Sequence, residues 1–116
     1  MDTLKYHLTI NAKDQILLPS DVVAHFGKEI YILKNFNRSL GLLTKQEFEE
    51  YKNRIQKQKD NSFYLELLYR SLKICDIEKR RINIPKTLKH HLAPENETEL
   101  ILMVDGGGCY IESILH

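Results

Sequence analysis

The sequence has little of what marks several common classes of protein. Its 116 residues include only two cysteines, Cys75 and Cys109, which are too few for a disulfide framework and suit a reducing cytoplasm. No apolar run approaches the roughly 20 residues that a membrane helix needs. Residues 1–5 contain no basic segment followed by an apolar stretch, so we expect no signal peptide. The composition, 42% hydrophobic and 28% charged, is typical of a soluble globular protein.

Arrangements that carry catalysis are also missing. No Ser/His/Asp, Cys/His or paired-carboxylate pattern is recognisable, and a chain of this length leaves little room for a substrate pocket. Asp105–Gly108 is predicted to be a hairpin turn and not a phosphate loop, because a strand-like stretch follows it. His90 and His91 are adjacent, so on a helix they point about 100° apart and form no i, i+4 metal pair. We therefore predict a protein that is not an enzyme, binds no small-molecule substrate and holds no metal or cofactor.

The net charge of +1 indicates no general preference for nucleic acid, but the charges are unevenly distributed. Residues 79–91 contain five basic residues and no acid, namely Lys79, Arg80, Arg81, Lys86 and Lys89. Residues 95–112 contain five acids and no base. This separation predicts one positive and one negative face. The alternative is that both stretches are ordinary solvated surfaces.

The chain contains an internal repeat. Residues 9–26 recur at 75–92, where Lys13, Ile16, Pro19 and His25 correspond to Lys79, Ile82, Pro85 and His91. Each copy contains two strands joined by a polar turn, then a helix that begins at proline, then two more strands. A ββαββ unit of about 40 residues is too small to bury a core alone. We therefore predict one interleaved α+β domain, in which the two copies form a barrel with pseudo-two-fold symmetry.

Two helices are predicted between the copies. Residues 44–47 form a Thr-x-x-Glu capping box, which begins a helix that runs to about Gln58. A second helix is predicted over Phe63–Leu72, with Ser62 as its cap. Its candidates for burial are its apolar residues, Phe63, Tyr64, Leu67, Leu68 and Leu72. The predicted division is residues 3–43 for the first copy, 44–72 for the linking helices and 73–116 for the second copy.

The turn at Glu78–Arg81 is the main functional candidate. Arginine offers planar bidentate donors that suit phosphates and guanine edges, and lysine adds a point charge. A turn with adjacent arginines can enter a DNA groove or contact its backbone. The alternative is an exposed hairpin turn that charge keeps soluble. The predicted DNA contacts of the second copy are Lys79, Arg80 and Arg81, with help from Lys86 and Lys89.

The pattern resembles a known family. Residues 6–20, the capping-box helix from Thr44 and Arg81–Pro85 carry the resemblance, together with the order of elements over nearly the whole chain. The chain resembles the MraZ family, bacterial transcriptional regulators built from two tandem AbrB-like (SpoVT-AbrB) motifs. The resemblance implies a swapped-hairpin barrel, binding to direct repeats in a promoter and repression of the division and cell-wall gene cluster. It also implies assembly into closed rings and a cytoplasmic, nucleoid-associated location.

The family's signature in each half looks like Asp-x-x-Gly-Arg, and this sequence departs from it. The first copy has Asn11, Asp14 and Gln15 at the three positions, and the second copy has Arg80 and Arg81 at the last two. The aspartate position of the second copy falls on Ile77 without a gap, or on Asp76 if the turn is one residue longer. A one-residue slip exchanges the faces of a strand. Because glycine is lost in both copies, we predict turns that do not need a positive φ.

The leading prediction is an oligomeric regulator whose partners are double-stranded DNA and further copies of the chain. The second copy is expected to dominate the contact, because Asp14 has the wrong charge for phosphate and Gln15 has none. Lys13 and Gln15 are therefore lesser candidates. The alternative is a degenerate member of the family that keeps the fold and the oligomer, and that acts as a protein-interaction or antitoxin-like module with little DNA binding.

Overall fold

The computed structural model of the chain describes residues 3–35, 37–58, 61–106 and 108–114. The first copy contains β1 (Leu4–Thr9), β2 (Gln15–Leu17), α1 (Ser20–Phe26), β3 (Glu29–Lys34) and β4 (Leu40–Leu43), and the linking helices are α2 (Lys45–Gln56) and α3 (Asn61–Ser71). The second copy contains β5 (Lys73–Asp76), β6 (Arg81–Asn83), α4 (Lys86–Leu92), β7 (Glu99–Asp105) and β8 (Gly108–Ser113). The predicted α+β class and the order of elements are confirmed. The division into residues 3–43, 44–72 and 73–116 stays a prediction.

The strands of the two copies pair with each other. Six strands form one antiparallel sheet in the order β1-β7-β8-β4-β3-β5, and β2 pairs with β6 in a separate two-stranded ribbon. The first strand of each copy lies beside the third strand of the other copy, since β1 pairs with β7 and β5 pairs with β3. This pattern is unchanged when the two copies are exchanged. The pairings are compatible with the predicted interleaving, which stays a prediction.

The predicted closed barrel is wrong for the described strands. The ribbon β2–β6 is only three residue pairs long. It is linked to the ends of the six-stranded sheet through two isolated bridges, Ile10 to Ile16 and Glu78 to Arg81. Because isolated bridges are not ladders, hydrogen-bond pairing does not continue from β5 through the ribbon to β1, and the six-stranded sheet is open at these two strands.

The ribbon is held by its inward face. Ile16 and Ile82 are paired across the ribbon and are fully buried in the main core, while Leu17, Arg81 and Asn83 on the flanking positions are exposed. This alternation is the period of two that a strand with one buried face must show. The ribbon therefore presents its other face outward.

The linking helices pack on β3. The capping box of α2 is confirmed, because Glu47 N donates to Thr44 Oγ1 at 3.1 Å and Thr44 N donates to Glu47 Oε1 at 2.9 Å. A second, smaller core contains the buried side chains Tyr31, Leu33, Phe48 and Leu68. This core fixes α2 and α3 against the side of β3 that faces away from the main core.

The predicted apolar face of α3 is mostly wrong. The helix begins at Asn61, before the predicted cap Ser62. Phe63, Tyr64 and Leu67 are 62%, 53% and 46% exposed. Only Leu68 of the predicted set is buried, and Leu72 is partly buried just beyond the helix. The residues that pack are spaced i, i+3 and i+7, namely Leu65, Leu68 and Leu72, which form a narrower row on the other side of the helix.

Candidate nucleic-acid interface

The turn between β5 and β6 is a two-residue hairpin loop. Glu78 N donates to Arg81 O at 3.0 Å, and Arg81 N donates to Glu78 O at 2.8 Å. The two central residues, Lys79 and Arg80, have φ of 51° and 65°. Positive φ at both central positions is the geometry of a type I′ turn, in which Asn-Gly is the usual pair. We call residues 78–81 the second turn.

The corresponding turn of the first copy is one residue longer. Asn11 N donates to Gln15 O at 3.0 Å, which closes a loop of three residues. The Asn11 side chain supports this loop, because its Oδ1 accepts from Lys13 N and from Gln15 N, both at 2.9 Å. Asp14 is the residue with positive φ, at 60°. We call residues 11–15 the first turn.

The register of the two copies differs from both predicted alternatives. Asp76 pairs with Glu29 in the way that Thr9 pairs with Glu99, so Asp76 corresponds to Thr9. By the same relation Ile77 corresponds to Ile10. Asn11, at the family's aspartate position, therefore corresponds to Glu78. The second turn is one residue shorter than the first, not equal to it and not longer.

The prediction that the turns do not need a positive φ is also wrong. Asp14 and Arg80 occupy the family's glycine positions and both lie in the left-handed region, which costs a non-glycine residue about 1–2 kcal/mol. The cross-copy contacts hold them there. Leu18 N donates to Arg80 O at 2.7 Å, and Ile84 N donates to Asp14 O at 2.8 Å. Arg80 adds a bond of its own, because its Nε donates to Leu18 O at 3.0 Å.

The predicted basic residues form two groups, not one patch. Arg80 contacts Leu18, two residues before α1 begins. Arg80 and its neighbour Lys79 form what we call the Lys79 end of the ribbon. Lys86 and Lys89 lie at the opposite end, beside the first turn, which we call the Lys13 end. From Arg80 to Ile84 the chain takes four strand steps of about 3.3 Å, so the two ends are about 13 Å apart.

Lys89 is already paired in the free protein. Its Nζ donates to Asp14 Oδ1 at 2.6 Å, and both side chains are largely screened from solvent. The predicted contact residues Lys13, Lys79 and Lys86 are exposed, and no carboxylate of the described residues forms an ion pair with them. Arg80 is also exposed and has no ion pair among the described residues, although its Nε donates to Leu18 O. These three lysines and Arg80 are therefore the cations that remain available to a polyanion at the two ends of the ribbon.

The outward face of the ribbon carries four side chains, which we call the ribbon face: Gln15, Leu17, Arg81 and Asn83. Gln15 and Arg81 were predicted as contacts, whereas Leu17 and Asn83 were not. The signal that locates them is the strand alternation around the two apolar residues Ile16 and Ile82. Of the four, Gln15 is partly fixed, because its Oε1 accepts from Asn11 Nδ2 at 3.1 Å.

A cleft of about 490 Å³ runs beside the ribbon face. Its charged lining consists of Lys79, Arg81, Asp76 and Glu78, so positive and negative charges balance. Cys75 also lines it, and burial raises the pKa of this thiol, with Asp76 adding to the effect. Burial likewise raises the pKa of Cys109 to about 12. Both thiols are therefore protonated at neutral pH, unlike the thiolate that a nucleophilic cysteine requires.

The glycine turn and the histidines considered in the sequence analysis have structural roles. Asp105 pairs with Gly108 at the start of β8, which confirms the hairpin turn, although Gly107 lies outside the described residues. His91 Nε2 donates to Asn35 O at 2.8 Å, and His25 Nε2 lies 3.6 Å from Glu47 Oε1.

Within the described ranges no three His, Cys, Asp or Glu residues are placed to hold a metal ion. No helix in that part of the chain has the length and apolar character to cross a membrane.

Comparison with known proteins places the chain near one group of regulators. No family model matches it. The transcriptional regulator MraZ of Ligilactobacillus salivarius is 26% identical over 102 residues, which are 84% of this chain and 71% of that protein. The transcriptional regulator MraZ of Mycoplasma mobile is 34% identical over 50 residues, 43% of this chain and 34% of that protein. Both relatives are transcriptional regulators and not enzymes, which supports the prediction that this chain is not an enzyme. These matches support the assignment of the chain as a divergent member of the MraZ family.

Proposed function

We propose that the protein is a transcriptional regulator that binds double-stranded DNA through the ribbon β2–β6. One observation carries this proposal: an outward-facing two-stranded ribbon has exposed, unpaired lysines at both of its ends. The names of the two relatives support a role in transcription. A cytoplasmic, nucleoid-associated location follows from that role.

The dimensions of the ribbon suit B-DNA. The major groove is about 12 Å wide and admits a two-stranded β-ribbon. The two basic ends are about 13 Å apart by strand geometry, so Lys79 at one end and Lys13 and Lys86 at the other can reach phosphates on both sides of the groove. The short two-residue loop keeps the Lys79 end compact, so that it does not obstruct entry.

The finer parts of the proposal come from the family resemblance. They are binding to direct repeats in a promoter, repression of the division and cell-wall gene cluster, assembly into a ring, and exchange of hairpins between the copies. The β1–β7 and β5–β3 pairings support the exchange. The near-neutral net charge supports assembly, because a single site with few free cations binds DNA weakly and gains from avidity.

The salt dependence of DNA binding tests the two ends of the ribbon. Replacing Lys13, Lys79 and Lys86 together by alanine is expected to weaken binding to any duplex. It should also reduce the slope of log K against log salt by about 2–3, since each phosphate contact contributes about 0.9. Fluorescence anisotropy titrations over a range of about 50 to 300 mM salt give both the affinity and its salt dependence.

The matched control for this experiment removes the same charge elsewhere. Lys5 on β1 and Lys45 and Lys57 near the ends of α2 are exposed and lie outside the ribbon. Their triple alanine variant should keep the wild-type slope apart from a small general effect of net charge. If the two triple variants lost affinity and salt dependence equally, the ribbon ends would have no special role in DNA binding.

The exposed side of α3 supports self-association. Phe63, Tyr64 and Leu67 place three large apolar side chains on one exposed surface, which is typical of an interaction site. We expect Leu67→Glu to shift the protein toward the monomer in size-exclusion chromatography with light scattering, without loss of the folded state. Gln46→Glu on α2 adds the same charge at an exposed position and should not change the mass. A mass that both variants share with the wild type would exclude α3 as the interface.

A second candidate function remains a protein-interaction or antitoxin-like module. The Asp14–Lys89 ion pair favours it, because this pair removes one predicted DNA contact at the Lys13 end. A wild-type protein that co-purifies with a protein partner, and that binds no duplex in a salt-dependent manner, would support this alternative over DNA binding.

A further inference from the structure

We infer that the ribbon face reads bases in the major groove, and that it reads a non-palindromic site because β2 and β6 present different side chains. This inference rests on the proposed function and adds its specificity. It assigns a reading role to Leu17 and Asn83, and it distinguishes the ribbon face from the two basic ends.

The register of the ribbon sets the arrangement of the four side chains. Gln15 lies opposite Asn83, Leu17 lies opposite Arg81, and Ile16 lies opposite Ile82 at the centre. A local two-fold axis through the central isoleucine pair therefore relates Gln15 to Arg81 and Leu17 to Asn83. The axis relates backbone positions and not side-chain chemistry. The ribbon presents Gln and Leu on one strand and Arg and Asn on the other. It therefore does not match a palindromic DNA sequence, in which the two halves are identical.

Each side chain of the ribbon face matches a major-groove edge. Arginine binds guanine O6 and N7 in a bidentate manner, asparagine and glutamine bind adenine N6 and N7, and an apolar side chain contacts the thymine methyl group. The row of Gln15 and Asn83 thus suits adenines, and the row of Leu17 and Arg81 suits a thymine beside a guanine. A guanine is expected where the symmetry-related position has an adenine.

The charges of the cleft separate reading from backbone binding. Asp76 and Glu78 offset Lys79 and Arg81 beside the ribbon face. A surface with balanced charges attracts a negatively charged phosphate only weakly, whereas it does not weaken hydrogen bonds to the neutral edges of the bases. Phosphate contacts are therefore left to the two ends of the ribbon, and the ribbon face can discriminate between base sequences without a high affinity for all DNA.

The decisive experiment makes the ribbon symmetric. The double variant Q15R/L17N gives β2 the outward residues of β6, so that both strands present Arg and Asn around a central isoleucine. Wild-type protein and the variant are each used to select duplexes from a random pool. The wild type is expected to select a non-palindromic site, and the variant a palindrome with guanine on both sides. Selection of the same site by both proteins would overturn the inference.

A second measurement tests Asn83 alone. Asn83→Ala is expected to lower the ratio of affinities for the selected and a scrambled duplex by about 5- to 150-fold, the range for loss of one bidentate base contact. Binding to the scrambled duplex should not change. Asn53→Ala, the same substitution at an exposed position of α2, should keep the wild-type ratio. Thermal melting of each variant checks that it is folded. We expect both to be folded because both asparagines are exposed.

The outcomes distinguish the inference from the proposed function. A wild-type protein that binds no duplex contradicts the proposed function, and the reading role fails with it. A wild-type protein that binds in a salt-dependent manner, but with an unchanged ratio in Asn83→Ala and an unchanged site in Q15R/L17N, keeps the proposed function and overturns the reading role alone.

Discussion

Ile82→Ala is expected to lower the free energy of unfolding by about 2–5 kcal/mol, the usual range for truncating a buried isoleucine. Ile82 is fully buried and lies opposite the equally buried Ile16, so the substitution leaves a cavity at the centre of the ribbon. Among the described residues, two isolated bridges, Ile10 to Ile16 and Glu78 to Arg81, link the ribbon to the edges of the six-stranded sheet. The position of the ribbon therefore depends on the packing of this isoleucine pair. Urea denaturation followed by circular dichroism gives the difference in free energy.

The neighbouring Leu17 provides the control for this experiment. It precedes the buried Leu18 on the same ribbon but is 45% exposed, so Leu17→Ala should change the free energy of unfolding by no more than about 0.5 kcal/mol. If Ile82→Ala and Leu17→Ala were equally mild, the ribbon would not be packed on the core. A stability loss in both would instead contradict the outward placement of the ribbon face.

Phe48→Ala is expected to have a comparable effect, about 3–5 kcal/mol, on the other side of the molecule. Phe48 is 3% exposed, and its ring centroid lies 5.3 Å from that of Tyr31 on β3 and 6.3 Å from that of Tyr69 on α3. It therefore joins both linking helices to the sheet. We expect the loss to appear first as faster hydrogen exchange in α2 and α3, because the main core does not contain Phe48.

The matched control is the same substitution in α3. Phe63 is 62% exposed, so Phe63→Ala should cost less than about 1 kcal/mol when measured at a concentration at which light scattering shows a monomer. Similar losses for the two phenylalanines would mean that α3 packs through its Phe63 side, which is the arrangement that the sequence alone predicted.

Much of the fold could be predicted because the copies carry the same markers at the same spacing. Ile16 and Pro19, with their equivalents Ile82 and Pro85, locate the short strand and the following helix in each copy. The capping box at Thr44 was equally clear, because both of its hydrogen bonds are local. The orientation of α3 was not predictable in this way. The helix is apolar on two sides, and only contact with β3 selects the row of Leu65 and Leu68.

The site was harder to predict, because its geometry depends on pairing between the copies. From Lys13 onward the two copies align at a constant distance in the sequence, which hides the extra residue of the first turn. The strand pairings of Thr9 with Glu99 and of Asp76 with Glu29 reveal it. Likewise Lys79 and Lys86 are close in sequence, but the antiparallel ribbon places them at its opposite ends. The positive φ of Arg80 is imposed by the short hairpin and not by its own preference.

The exchange of strands between the copies has a consequence during protein synthesis. β1 leaves the ribosome before its partner β7, which begins about 90 residues later. At about 5–20 residues per second, this delay is about 5–20 s. During that time β1 has a free hydrogen-bonding edge, and such edges recruit other chains. On the ribosome, the first copy is therefore the part of the nascent chain that most needs protection from its neighbours.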